Sequence, residues 1–278
     1  MKRERLTITL NGGVLNKIDR RIDGYKIRNR SHAIEAILEE KLKSRILKKA
    51  IVLGGGEGIN FEGKIISKLL LPVGDKLLIE RNIEVLKEYG ITDLILSLGK
   101  LGDQIRKKLK DGSKYGIKII YFERDRGTAS VLRQAQSLLD ETFLMMNGDI
   151  LLSNIDLGDM YEFHKRHGAK STILMTTADD ATLFGSILVK GDMIVKFFEK
   201  PRPQESYSHL INGGVYLFEP EVCQMVTPET SSLEGDIFPR LVEGKKLFGY
   251  FLDARWIHLH DEERYKSHLK NLNKVNKI

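Results

Sequence analysis

The residues with the plainest chemical reading are Gly54-Gly55-Gly56-Glu57-Gly58, set directly after the apolar run Ala50-Ile51-Val52-Leu53. Glycines at the end of a strand let backbone amides close on a phosphate, so the segment predicts a phosphate-binding turn. Neither common glycine signature fits in full. The dinucleotide fingerprint fails because Ile59 or Phe61 falls where a third small residue belongs. The stretch from Gly58 to Gly63-Lys64 ends in Ile65, where a P-loop needs Ser or Thr for magnesium, and it begins well past its strand. A second chemistry lies in residues 1–48, which hold 13 Lys and Arg against 6 Asp and Glu. Residues 49–278 hold 32 of each, so the whole formal excess of +7 sits at the amino end. Such asymmetry predicts a basic module that meets a polyanion, joined to a neutral body.

The elements that must position these residues follow from periodicity. Arg5-Leu6-Thr7-Ile8-Thr9-Leu10 alternates as a strand does, with Leu6, Ile8 and Leu10 on one side. Asn11-Gly12-Gly13 breaks it. Val14, Leu15, Ile18 and Ile22 then recur at helical spacing, and a second helix is predicted from Asn29 as N-cap with Ala33, Ile34, Ile37, Leu38 and Leu42 on one stripe. One strand and two helices cannot bury their own apolar surface, so the module predicts a dimer that shares its strands. The lysine-rich junction carries no Pro or Gly linker, and the boundary is placed between 1–47 and 48–278. In the body, runs 50–53, 93–96, 118–121 and 143–146 read as buried parallel strands, with helices near 76–89, 101–110 and 128–139 between them. That alternation predicts an α/β, doubly wound, Rossmann-like and mostly parallel sheet with ligands at its carboxyl ends.

The remaining composition sets limits. A chain of 278 residues with 41% apolar content is long enough for one large or two unequal domains and is not disordered. Its single cysteine, Cys223, excludes an internal disulfide and suggests a reducing, cytoplasmic setting. No apolar run reaches the ~18 residues of a membrane span, and the charged start lacks the apolar core of a signal peptide.

Residues 4–44 resemble the ribbon-helix-helix family of DNA-binding regulators, of the Arc, MetJ and CopG type, in the strand alternation, both helices and the Asn29-Arg30-Ser31 helix start. The resemblance implies an intertwined homodimer, or a tetramer on DNA, whose paired strands enter the major groove of double-stranded DNA. Arg5, Thr7 and Thr9 would then read base edges, and the amides near Asn29, Arg30 and Ser31 would hold a phosphate.

The body, over nearly all of 48–270, resembles the sugar-1-phosphate nucleotidyltransferases, or nucleotide-sugar pyrophosphorylases, which implies a GT-A-like fold. Seven blocks match in order: Leu53 through Gly58, Lys68 with Leu71-Pro72-Val73, Gly127-Thr128-Ala129, Asn147-Gly148-Asp149, Phe184-Gly185, Glu199-Lys200-Pro201, and Asn212 through Tyr216; Trp256 and Tyr265 match the closing motif. The resemblance assigns the nucleotide to Leu53, Gly54, Gly55, Gly56, Gly58, Gly127, Thr128 and Asp149, the sugar to Gly185, Glu199, Lys200 and Asn212, and a catalytic Mg2+ to Asp149. The reaction it implies is attack of a sugar phosphate on the α-phosphate of a nucleoside triphosphate. That chemistry rests on positioning and charge neutralisation.

The pattern also breaks. The family's loop arginine is Asn60 here, and its second metal aspartate is His258. Imidazole is a poor partner for magnesium. The family's Gly-Thr-Pro has become His260-Asp261-Glu262. Lys64 and Lys68 remain as candidate cations, and His258 with His260 and Asp149 suggest a transition-metal set as an alternative to two ordinary hydrogen-bonded side chains. An intact DNA-reading pattern beside an eroded catalytic one predicts a DNA-binding transcription regulator that binds a nucleotide, sugar phosphate or nucleotide sugar as effector, with catalysis lost or weak. The alternative is an active nucleotidyltransferase whose amino-terminal module dimerises it or tethers it to DNA.

Overall fold

The computed structural model describes residues 6–25, 27–42 (backbone only for 39–42), 47–123, 127–152, 155–203, 208–252 and 256–267. The chain divides into two compact units, Met1–Ser44 and Arg45–Ile278. In the smaller unit, α1 (Gly12–Asp19) starts where the Asn11 side chain accepts from the Val14 amide at 2.9 Å. The second helix, α2 (Arg30–Leu42), starts where Asn29 Oδ1 accepts from the His32 amide at 2.9 Å. Each Asn satisfies an amide the helix itself leaves unpaired.

Within the single chain the predicted amino-terminal strand finds no pairing among the described residues. Residues 6–10 carry no ladder, and Leu6, Ile8 and Leu10 are 80%, 46% and 37% exposed. The physical reason is that a strand needs a neighbour for its backbone groups, and the described residues of this unit supply none. Thr7 and Thr9 are exposed as well, and Arg5 lies outside the described residues.

The larger unit follows the strand–helix alternation read from its sequence. After β1 (Lys49–Gly54) come two small hairpins, β2 (Ile59–Phe61) with β3 (Lys64–Ile66) and β4 (Pro72–Val73) with β5 (Lys76–Leu77). There follow α3 (Leu78–Glu88), β6 (Asp93–Leu98), α4 (Gly102–Leu109), β7 (Lys118–Glu123), α5 (Ser130–Ala135), β8 (Phe143–Asn147) and α6 (Leu157–Arg166). The last part holds β9 (Ser171–Thr177), β10 (Gly185–Lys190), β11 (Met193–Glu199), β12 (Leu210–Phe218), α7 (Phe238–Glu243) and β13 (Leu247–Phe251).

Among the described residues, nine strands form one sheet in the order β7-β6-β1-β8-β12-β9-β13-β11-β10. The first four are parallel, as their crossover helices require, and β12 joins β8 antiparallel. Both faces are covered, so the central strands are apolar without alternation. Ala50 and Val52 of β1, Leu94 and Leu96 of β6, and Leu144 and Met146 of β8 pack into one core. Ile51, Ile95, Phe143 and Met145 of the same strands enter the core on the opposite face with α5 and α7. The sheet is thereby clamped from both sides, which fixes the positions of its carboxyl-terminal loops. Among the described residues, no helix is long and apolar enough to cross a membrane.

Candidate active site

The carboxyl ends of β1, β6 and β8 open into a cavity of about 590 Å³, a size suited to a small-molecule ligand. Leu53, Gly54 and Gly55 line it from the end of β1, and Asn147, Gly148 and Asp149 from the end of β8. These two turns fit against each other. The Gly148 amide donates to the Leu53 carbonyl at 3.0 Å, and a Cβ at Gly148 would stand 2.6 Å from that same oxygen. Close backbone approach therefore demands a glycine at 148, and it sets the two turns side by side on the cavity wall.

The rest of the predicted glycine loop goes elsewhere. Gly56 borders a separate shallow depression with Glu57, Lys100 and Glu123. Gly58 has φ +83°, and a Cβ there would lie 2.5 Å from the Ile66 carbonyl, so its task is to let the β2–β3 hairpin fold back. Asn60 and Lys64 sit on that hairpin, both exposed and neither lining the cavity. Lys64 thus does not take the place of the absent arginine.

The cavity draws its positive charge from Lys68, Lys200 and Arg264. Lys68 is placed by the short helical turn Lys68–Leu70, and its Nζ lies 3.1 Å from Asp149 Oδ2 and 3.2 Å from His260 Nδ1. Arg264 was invisible to the sequence reading, yet a signal was there. Asp261 accepts from the Arg264 amide at 2.8 Å and so starts the helical segment 262–267. That cap aims the guanidinium across the Phe184 ring, 5.2 Å from its centroid, with Nη1 3.3 Å from His258 Nδ1.

The predicted sugar-binding residues Gly185, Glu199, Lys200 and Asn212 line the same cavity. A Cβ at Gly185 would stand 2.5 Å from the Phe197 ring and 3.2 Å from Glu199 Oε2. Asn212 donates to the Tyr216 hydroxyl at 2.9 Å and accepts from the Gly214 amide at 2.9 Å, which holds open the irregularity in β12. Gly127, with φ +58°, forms a brace: a Cβ there would meet the Ser231 carbonyl at 1.8 Å. Its neighbour Thr128 bonds Glu234 at 2.9 Å, and both line the cavity. Glu234 has a consequence for Glu199. Although Glu199 keeps contact with solvent, loss of hydration and then the Glu234 charge push its carboxyl above the usual range, and Lys200 offsets part of that.

Asp149 is partly buried at the turn after β8. Burial opposes its charge, but hydrogen bonds to His258 and His260 and the charges of His258 and Lys68 hold the carboxyl well below the usual range. His258 Nε2 and His260 Nδ1 each lie 3.4 Å from Asp149 Oδ2. The set offers a cation one carboxylate and two imidazole nitrogens. Magnesium favours an octahedron of oxygens, so these residues fit it poorly. At the start of α2, the Arg30 side chain pairs with Asp19 through Nε at 2.7 Å and Nη2 at 2.9 Å.

A nucleotidyl transferase family model matches residues 49–259. A probable mannose-1-phosphate guanylyltransferase 1 from Oryza sativa subsp. japonica is 31% identical over 233 residues, 80% of this chain and 64% of the relative. A mannose-1-phosphate guanyltransferase from Saccharomyces cerevisiae is 30% identical over 220 residues, 75% of this chain and 60% of the relative. The chain thus spans about 60% of the length of these relatives. In fold it is similar to a putative glucose-1-phosphate thymidylyltransferase from Bacillus anthracis, with TM-score 0.71, 23% identity and coverage of 81% and 94% of the two chains. These relatives overturn the expectation of a DNA-binding regulator with a spent catalytic domain. The similarity extends over most of the chain to proteins named as guanylyltransferases. The two substitutions that suggested erosion leave a cavity that still gathers three cationic side chains.

Proposed function

From the premise that the chain belongs to the nucleotidyl transferase family, we propose that it is a working sugar-1-phosphate nucleotidyltransferase, joining GTP and mannose 1-phosphate to GDP-mannose with release of pyrophosphate. The substrates are those in the names of its relatives at about 30% identity. The observation that carries the reading is the convergence of Gly54, Gly55, Lys68, Lys200 and Arg264 on one cavity. Two anions have to meet there, and charge grows on the departing pyrophosphate.

Main-chain amides at Gly54 and Gly55 face the triphosphate, and Lys68, held by Asp149, meets its negative charge. Arg264 takes over the neutralisation that the loop arginine performs in the family. Glu199 and Asn212 hold sugar hydroxyls, and Lys200 holds the sugar phosphate, which orients its oxygen toward the α-phosphorus. Pyrophosphate release from GTP and mannose 1-phosphate, measured beside other nucleotide and hexose-phosphate pairs, tests the proposal. Turnover with this pair above all others is expected; absence of turnover with every pair defeats it.

The amino-terminal unit serves this enzyme as a dimerising module. Among its described residues only Ile18 and Ala33 are buried hydrophobics, while Leu6, Ile8, Leu10 and Val14 are exposed. A second copy would supply the missing strand neighbour and cover that row. Light scattering on the Ile8→Lys, Leu10→Lys double variant is expected to give half the mass of the parent; equal masses overturn the assignment.

A further inference from the structure

The geometry points to a site for a divalent transition ion, of the Co2+ or Zn2+ kind, formed by Asp149, His258 and His260 in preference to Mg2+. Asp149 Oδ2, His258 Nε2 and His260 Nδ1 all lie within 4.8 Å of one another. Both carboxylate–imidazole separations are 3.4 Å. Ligands about 2.0–2.1 Å from a tetrahedral ion stand about 3.3–3.4 Å apart, so two of the three edges are already set. A magnesium octahedron of similar radius would need about 3.0 Å between adjacent donors, and oxygens at each corner.

The chain holds these donors firmly. Residues 149–151 and 257–259 run side by side: Leu259 donates to the Asp149 carbonyl at 2.8 Å and Leu151 to the Ile257 carbonyl at 3.0 Å. Residues 258 and 260 of this extended segment point the same way, while Leu259 between them is fully buried. The His258 ring stacks on Trp256 at 4.8 Å and meets Phe184 at 5.9 Å, and Trp256 is pinned by its bond to the Gly213 carbonyl at 3.0 Å. His260 is exposed, so an ion has a path of entry.

Two cations border the donors and set the cost of binding. The Lys68 ammonium sits 3.1 Å from Asp149 Oδ2 and 3.2 Å from His260 Nδ1, where a positive charge is already welcome, and it swings out when an ion enters. Coordination through His258 Nε2 leaves its proton on Nδ1, so Arg264 has to turn aside; Asp261, 3.6 Å from its Nε, is the partner it turns to.

The test is titration of the full chain with CoCl2, ZnCl2 and MgCl2, read by calorimetry and by visible Co2+ absorption. We expect one equivalent of Co2+ to develop intense bands of low-coordinate geometry, with Zn2+ displacing it and millimolar Mg2+ leaving it in place. His260→Gln, at an exposed position, should keep the fold and weaken Co2+ binding at least tenfold. His258→Asp should shift the preference toward Mg2+. Co2+ bands unchanged in His260→Gln, or displacement by Mg2+ as readily as by Zn2+, would overturn the site. The outcome is separable from the proposed reaction: a protein that binds Co2+ here but makes no nucleotide sugar keeps the site and loses the activity.

Discussion

Gly127→Ala is a severe test of how the cavity wall is built. The residue has φ +58°, and the added Cβ would lie 1.8 Å from the Ser231 carbonyl oxygen and 2.6 Å from its carbon. A carbon–oxygen contact of ordinary length is about 3.3 Å, so one wall must retreat by about 1.5 Å. The opposing wall does not yield easily, because the Ser231 and Ser232 amides both donate to Asp236 Oδ2, at 2.8 and 2.9 Å, and the Ala129 amide donates to the Ser231 carbonyl at 3.2 Å. Left-handed backbone costs a non-glycine residue about 1–2 kcal/mol and overpacking about 1–3 kcal/mol, together about 2–5 kcal/mol. At roughly 2–4 °C per kcal/mol the melting temperature should fall by on the order of 10 °C. Thr128 and Glu234 move with the wall, and a displacement of about 1 Å at a reactive site costs about a hundredfold in rate. Differential scanning fluorimetry and pyrophosphate-release kinetics read the two effects. A variant that melts within about 2 °C of the parent and keeps kcat/KM within about threefold refutes the close packing of these loops.

Arg264→Met should lower kcat by roughly a hundred- to thousandfold with little change in melting temperature, because it removes a cation facing developing charge. Steady-state kinetics decide this, and a drop of less than about threefold counts against Arg264 as the replacement cation. Lys64→Ala, on the exposed hairpin, should leave kcat/KM unchanged within about twofold; a large loss would mean that the hairpin closes over substrate. Glu199→Gln should raise the melting temperature at pH 7. The folded carboxyl is pushed up, so the stability it contributes is complete below its unfolded value of about 4.3 and is lost as pH rises through the folded value. Melting curves from pH 4 to pH 8 should show the gain vanish at the acid end. A gain that is the same at every pH defeats the account.

Where structure depends on a residue's own period, the sequence was readable. The runs at 50–53, 93–96 and 143–146 became strands with both faces largely buried, and such strands advertise themselves as uninterrupted apolar runs; 118–121 became the half-buried edge strand β7. Leu53 to Gly55, Lys68, Asp149, Glu199, Lys200 and Asn212 line one cavity, as their order of blocks implied. What failed depended on something outside the local pattern. Lys64 had the right charge, and a two-stranded hairpin turned it outward. Glu234 reaches Thr128 across 106 positions, a contact no spacing rule encodes. Arg264 escaped because Asp261 stands in a lost loop motif, although an Asp followed by acidic residues, as in Asp261-Glu262-Glu263, is also a helix start.

The two departures that made the catalytic pattern look broken act on the same electrostatic sum. Replacing a loop arginine with Asn60 removes one positive charge, and replacing an aspartate with His258 removes one negative charge beside Asp149. The second change also alters what its neighbour can do. A carboxylate at position 258, 3.3 Å from the guanidinium, would hold Arg264 in a tight ion pair and spend its field there. An imidazole makes a weaker claim, so Asp261, 3.6 Å from Arg264 Nε, is the one carboxylate beside the guanidinium among the described residues instead of one of two. In the proposed reaction two anions meet, the quantity that matters is the field at the transferring phosphorus, and a cation from the segment 262–267 would add to it from a different direction than one on the glycine loop. Loss of a motif residue is therefore weak evidence for loss of chemistry until the surrounding charges have been placed in space.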